Sequence, residues 1–422
     1  MDRFVGIIGI IVIFLIAFWM SNNKKAINYK TIGMGFLLQV LLAIFIFKVP
    51  LGQKMFLLIG EFIRKILDFA YEGGTFVFGP LLNNGRLAEL FEHNSSIFAL
   101  QLVCSSIFMM VLVNILYYYG IMQRIVAALG KAMNKIMKVS GAEALSNVAS
   151  AFVGQIVAQI MIKPYLEKLT RSELLASMAG SMACISGAIM PIYIGMGIPA
   201  HYLLASSVMA APGALILSKI IYPETGVPET GENIKISRRR TFTNVFEAIS
   251  NGAGEGMKVA INVTAMILAL VALVAFIDWL LGLGGLFLYN HCPGCSHLGF
   301  LNHLSLKLIL GKIFMWFALI IGVPFKDASV VGALMGTKIV LNEMVAYIDL
   351  SHIANTLAPK SFMIASFALC SFGNFGSIAI QIGGIGELAP NQRKNLARLG
   401  LRALICGTLS CYLSAAIVGV LL

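Results

Sequence analysis

Charge is what this sequence is short of. Only 12% of its 422 residues are Asp, Glu, Lys or Arg, while 59% are apolar. A soluble domain usually carries about twice that charged fraction. The mean hydropathy of +0.87 points the same way. Signatures of catalysis are missing too: there is no Ser-His-Asp order, no metal-hydrolase helix motif and no phosphate loop. These absences exclude an ordinary soluble domain and leave little room for a membrane enzyme.

Long apolar runs are what is present. A spanning helix needs about 20 apolar residues. Eight runs qualify, at roughly 4–20, 31–50, 97–119, 172–197, 201–221, 259–288, 360–386 and 400–422. The first has its charge after it, at Lys24, Lys25 and Lys30, and no small-residue cleavage site, so it reads as a span rather than a signal peptide. The net charge of +12 suggests nucleic acid at first sight, but its placement argues against that partner. Basic clusters follow the odd-numbered spans, for example Arg124, Lys131, Lys135 and Lys138 after the third and Arg393, Lys394, Arg398 and Arg402 after the seventh. That is the positive-inside pattern. It predicts an all-α polytopic membrane protein with about eight spans and both termini outside.

Other stretches fit neither span nor loop. Phe56–Phe69, Ile121–Val139 and Thr241–Met257 space apolar and charged residues as interfacial amphipathic helices do. Ala142–Glu167 lies between two basic clusters and has a polar centre at Val153–Gln155; Leu306–Asp349 carries a turn signal at Gly322–Pro324. Both are expected to be re-entrant hairpins, since irregular backbone at membrane depth needs protein or a wet cavity around it.

An internal repeat organises these pieces. Ala176–Gly197 matches Ala365–Gly386 at seven of 22 positions without a gap, at an offset of 189 residues. Each copy follows a hairpin and precedes one more span, and the charge pattern sends them in opposite directions. The expected organisation is a scaffold over 1–140, a first repeat over 141–222, a linker and scaffold span over 223–305, and a second repeat over 306–422. Inverted repeats place solute at mid-membrane, where helices are discontinuous.

That gives a use for costly polar residues inside apolar runs: Asn374 and Ser377 in the second copy, Glu343 in the second hairpin and Gln155 at the tip of the first. Small and hydroxyl residues also line plain helix crossings. The alternative is that Lys338 and Asp349, flanking Glu343, simply mark a membrane edge. As a set, Gln155, Glu343, Asn374 and Ser377 offer a carboxylate, amides and a hydroxyl but no cationic clamp. They suit a neutral polar solute rather than an anion, and Phe372 adds a flat surface for a ring.

At these residues the chain resembles the concentrative nucleoside transporter family, of the bacterial nucleoside permease type. Thr337–Tyr347 is similar to its Asn-Glu-Phe-Val-Ala signature and Ser371–Ile380 to its Phe-Ala-Asn-x-Ser-Ser-Ile segment; Ile321–Ala328 and Glu72–Leu81 also match. The resemblance implies a homotrimer in the bacterial inner (plasma) membrane, without cofactor, taking up nucleosides by symport with sodium or protons. It implies that Glu343, Asn374 and Ser377 hold ribose hydroxyls, that Phe372 lines the site and that Gln155 meets the base. Ser150, Val153 and Cys184 sit at the positions implied for a sodium site. One departure stands out: Ile156 and Val157 replace a hydroxyl residue and a glutamate that the family carries after Gln155, and Gln159 stands where proline is frequent. The ribose half of the site is intact and the base half altered. The departure also motivates a second expectation, a transport-deficient relative that binds a ligand as a sensor or scaffold.

Of seven cysteines, most lie in spans as apolar packing. Cys292 and Cys295, in His291–His297, have a spacing that fits zinc, a local disulfide or free thiols.

Overall fold

The computed structural model describes residues 2–82, 97–187, 189–230, 242–291 and 304–421, and its described residues are helical apart from turns and short connections. Cys292 and Cys295 lie outside the described residues.

The chain begins with α1 (Asp2–Trp19), α2 (Tyr29–Phe47) and α3 (Pro50–Phe78). Then one order of elements runs twice. The first pass is α4 (Phe98–Tyr118), α5 (Ile121–Met137), a hairpin of α6 (Gly141–Val153) and α7 (Gln155–Met161), the short α8 (Lys163–Leu166), a broken helix of α9 (Arg171–Ala183) and α10 (Met190–Gly195), and α11 (Ala200–Ile221). The second is α12 (Val245–His291), α13 (Leu306–Ile320), a hairpin of α14 (Phe325–Val340) and α15 (Glu343–Ile353), a broken helix of α16 (Pro359–Leu369) and α17 (Phe375–Leu388), and α18 (Arg393–Leu421).

All eight segments read as spans are helical. Six are single helices, and the two repeat copies are broken in the middle. Five of the helices pass as spans by length and apolarity alone, or six if the bent pair α13–α14 is counted as one. The broken pairs fail that test because a polar break interrupts each.

Two expectations are corrected. The turn at Gly322–Pro324 is real, with a bend of 118° between α13 and α14. It is not the hairpin tip. In the repeated order α13 takes the place of the amphipathic α5, and the tip is the break at Leu341–Asn342. The third amphipathic stretch, Thr241–Met257, is no separate element either, because the described part of it merges into α12, a continuous helix of 47 residues. Nothing breaks the helix there. Gly252 and Gly256, four apart, instead press against α4, where a Cβ on Gly252 would lie 2.6 Å from the Val111 Cα. Small residues at that spacing let backbones meet.

Local sequence sets the ends of the first repeat's elements. Ser140 and Glu143 form a capping box on α6, and Thr170 and Glu173 another on α9. Gly154 separates α6 from α7 at φ +87°, a conformation other residues rarely adopt. At the foot of this hairpin Glu143 pairs with Lys219 of α11 at 2.7 Å, both buried. α11 and α18 form the buried centre of the molecule, whereas α12 runs along its outside. Gln39 of α2, fully buried, donates to the Met209 carbonyl and to Ser414 Oγ and so ties α2 to both central helices.

Candidate solute site between the hairpin tips

Each hairpin's second limb starts with a polar residue, Gln155 on α7 and Glu343 on α15. They are the counterparts expected from the repeat. The broken helices bring their interruptions to the same place. α9 ends at Ala183 and α16 at Leu369, so the breaks are 186 residues apart rather than 189. The two interruptions touch: the Phe372 N–H donates to the Cys184 carbonyl at 3.4 Å.

Asn374 is the N-cap of α17. Its Oδ1 accepts from the Ser377 N–H at 2.9 Å, which satisfies one of the free donors of the first turn. The cap uses the oxygen and leaves the amide N–H₂ free to donate. Nδ2 reaches Glu343 Oε2 at 3.2 Å. The other carboxylate oxygen accepts from the Tyr193 hydroxyl of α10 at 3.0 Å. Asn342 caps α15 in the same way, accepting from the Val345 N–H. From the other repeat, Gln155 Nε2 donates to Ser377 Oγ at 3.2 Å, while Gln155 Oε1 has no hydrogen-bond partner.

The structure therefore joins Gln155, Ser377, Asn374 and Glu343 in one run of hydrogen bonds. Phe372 lies two residues before Asn374, bonded to it through the backbone. Glu343, Asn374, Ser377 and Phe372 are all buried, and the run of hydrogen bonds closes on the site's own residues.

Two participants were not foreseen. Tyr193 is fully buried and lies 4.5 Å, centroid to centroid, from the Tyr347 ring. Its only sequence signal is a hydroxyl in the apolar run Met190–Gly195. Lys338 does not mark a membrane edge. It is completely buried on the first limb of the second hairpin, its ammonium has no hydrogen-bond partner, and it lies 5.5 Å from the centroid of the Tyr412 ring. Asp349 is partly exposed and pairs with Lys307 at 2.9 Å.

The altered limb of the first hairpin is also explained by packing. Ile156 fills the notch left by Gly384 on α17, and Val157 is 40% exposed. Gln159 is buried, donating to Ser181 Oγ at 2.9 Å and accepting from Ser177 Oγ at 2.7 Å. Ser150 joins this cluster through Ser181 at 2.9 Å. Ser150 and Val153 end α6 where it meets the break after Cys184, and Gly187 donates to the Phe152 carbonyl at 3.1 Å. The Cys184 thiol turns away to the Ser207 carbonyl. Among the described residues no group of three or more His, Cys, Asp or Glu could hold a metal ion.

Comparison with known proteins agrees with this architecture. Sequence models of the Na+ dependent nucleoside transporter match its N-terminus to residues 8–81 and its C-terminus to 202–419, and a nucleoside recognition model matches 99–200. The chain belongs to the concentrative nucleoside transporter family. Relatives of this transporter include YutK of Bacillus subtilis, described as an uncharacterized transporter, 39% identical over 415 residues and 98% of both chains. The nucleoside permease NupC of Helicobacter pylori is 38% identical over 98% of this chain and 96% of its own. Mouse sodium/nucleoside cotransporter 1 is 32% identical over 100% of this chain and 64% of its own length. Among solved structures, CNTnw in an inward-facing substrate-bound state superposes with a TM-score of 0.91 at 37% identity, covering 100% of this transporter and 98% of that chain. The transporter is accordingly a multi-pass membrane protein, and its relatives are carriers, not enzymes.

Proposed function

We propose that this transporter takes up nucleosides by symport with sodium, the ion its family is named for, as a homotrimer in the bacterial inner membrane. Glu343, Asn374 and Ser377 take the ribose hydroxyls, Phe372 lines the ring, and Gln155 turns its unpaired oxygen to the base. The observation that carries this reading is the bond from Asn374 to Glu343: a helix cap in one interruption donating to a carboxylate on a hairpin tip. Both groups lie between the repeats, both are costly at membrane depth, and together they present acceptor and donor atoms matched to a vicinal diol. The sodium ion, as cargo, is assigned to Ser150, Val153 and Cys184, whose hydroxyl and backbone carbonyls are oxygens suited to a hard cation. Ile156 and Val157 remove hydrogen-bonding groups from the base side, so discrimination among bases is weak or shifted.

The test is counterflow of labelled uridine, adenosine and inosine in liposomes, with sodium and proton gradients imposed separately. Uptake of at least one nucleoside driven by sodium, and abolished in Glu343→Gln, is expected. Binding without any counterflow indicates a ligand sensor instead, the reading the altered first hairpin favours.

A further inference from the structure

The helix α5 carries three cations and no acid, and a fourth cation follows it. Arg124, Lys131, Lys135 and the following Lys138 are all exposed, and among the described residues none of them has an ion-pair partner. One side of α5 is used: Met133 and Met137 are buried, and Gly130 packs on Leu145 of α6. A neighbouring stripe is not. Leu129 and Ile136 stay 44% and 37% exposed although they face protein across a gap. The gap is a groove of about 170 Å³, with Leu38 and Leu42 of α2 on one wall, Val208 and Pro212 of α11 on the other, and Ala151 and Phe152 of α6 as its floor.

We propose that this groove holds the acyl chain of an anionic phospholipid whose phosphate rests on Lys131 and Lys135. The lining is almost wholly apolar, which suits a hydrocarbon chain and no solute with hydrogen bonds to satisfy. The charge that α5 carries beside it is of one sign and has no ion-pair partner among the described residues, which suits a phosphate. An interfacial helix with lysines flanking an apolar stripe puts the two at the heights of headgroup and tail. A second copy of this chain is a poor occupant, because it would bring the same four cations to face these.

The site has a functional bearing. Its floor is the last turn of α6, the limb that leads directly to Gln155. Phe152, in that floor, accepts through its carbonyl from Gly187 in the first interruption. A chain in the groove therefore braces the last turn of the first hairpin's first limb.

The experiment uses the purified full-length transporter and native mass spectrometry, with phosphatidylglycerol and phosphatidylcholine of identical acyl chains. Retention of phosphatidylglycerol at least tenfold over phosphatidylcholine is expected. Neutralising a basic residue near an anionic headgroup loses roughly fivefold each, so Lys131→Gln/Lys135→Gln should erase the preference. Leu129→Gln, at an exposed position where folding is not at stake, should lower retention of both lipids. Equal retention of the two lipids by the unaltered protein, unchanged retention in the variants, or a protein dimer that excludes lipid would each overturn the assignment. None of these readouts depends on nucleoside uptake.

Discussion

Asn374 serves two helices at once: its oxygen caps α17 through the Ser377 N–H, and its nitrogen donates to Glu343 at the head of α15. Capping of α17 and the contact to the second hairpin tip are therefore one constraint. Only an amide can do both. Asn374→Asp keeps a capping oxygen but loses the donor and sets a second carboxylate against Glu343. Uptake should fall roughly ten- to hundredfold, the worth of about 1.5–3 kcal/mol for a hydrogen bond to a charged group, while helix content by circular dichroism is unchanged. Uptake within twofold of the parent would show that the bond does not matter to transport.

Glu343→Gln preserves shape and removes the charge. Nucleoside affinity, read by isothermal titration in detergent, should weaken by about the same ten- to hundredfold. The protein should still insert and purify as the parent does. Unaltered affinity would take Glu343 out of the solute site.

Lys338 is completely buried with no ion-pair partner among the described residues, and Glu343, at the tip of its own hairpin, is an acid that acts on it through space. Removing one member of a buried charge pair costs about 3–5 kcal/mol, whereas removing both can be neutral. Glu343→Gln should therefore lower the melting temperature more in the presence of Lys338 than in a Lys338→Met background. Four melting curves, for parent, two single variants and the double, decide it. Additive effects would mean that the two groups do not compensate one another.

The Glu143–Lys219 pair should behave as the foot clamp of the first hairpin. Lys219→Met leaves Glu143 buried without its cation and should destabilise the protein by about 3–5 kcal/mol. Glu143→Gln/Lys219→Met should recover most of that loss. Thermal melts in detergent measure both.

Val157→Glu returns an acid to the exposed face of α7, two residues from Gln155. It should change the ranking of uridine, adenosine and inosine in counterflow, with little effect on stability because Val157 is 40% exposed. An unchanged ranking would mean that this limb does not read the base.

Much of this was legible in the sequence for one reason: polar atoms are so costly in hydrocarbon that Gln155, Glu343, Asn374 and Ser377 stood out from their surroundings. Charge placement gave the spans on similar grounds. The second hairpin was harder to place. Gly322–Pro324 is the louder turn signal, whereas the tip at Leu341–Asn342 has no glycine or proline and depends on an asparagine cap. The membrane-edge alternative for Lys338 could not be dismissed from sequence, because burial of a charge is decided by tertiary packing alone. Nothing in the local pattern of Thr241–Met257 told a surface helix from the start of a longer one. Tyr193 acts through a partner 150 residues away, which no local pattern reveals.

The backbone bond between Phe372 and Cys184 has a mechanical consequence. It stitches the unwound middle of one half to that of the other. Any excursion that keeps this stitch must carry α9 and α16 as a single body, together with the hairpin tips resting on them. Such a body would be a composite drawn from both halves, and the glycine-lined α4–α12 seam lies outside it.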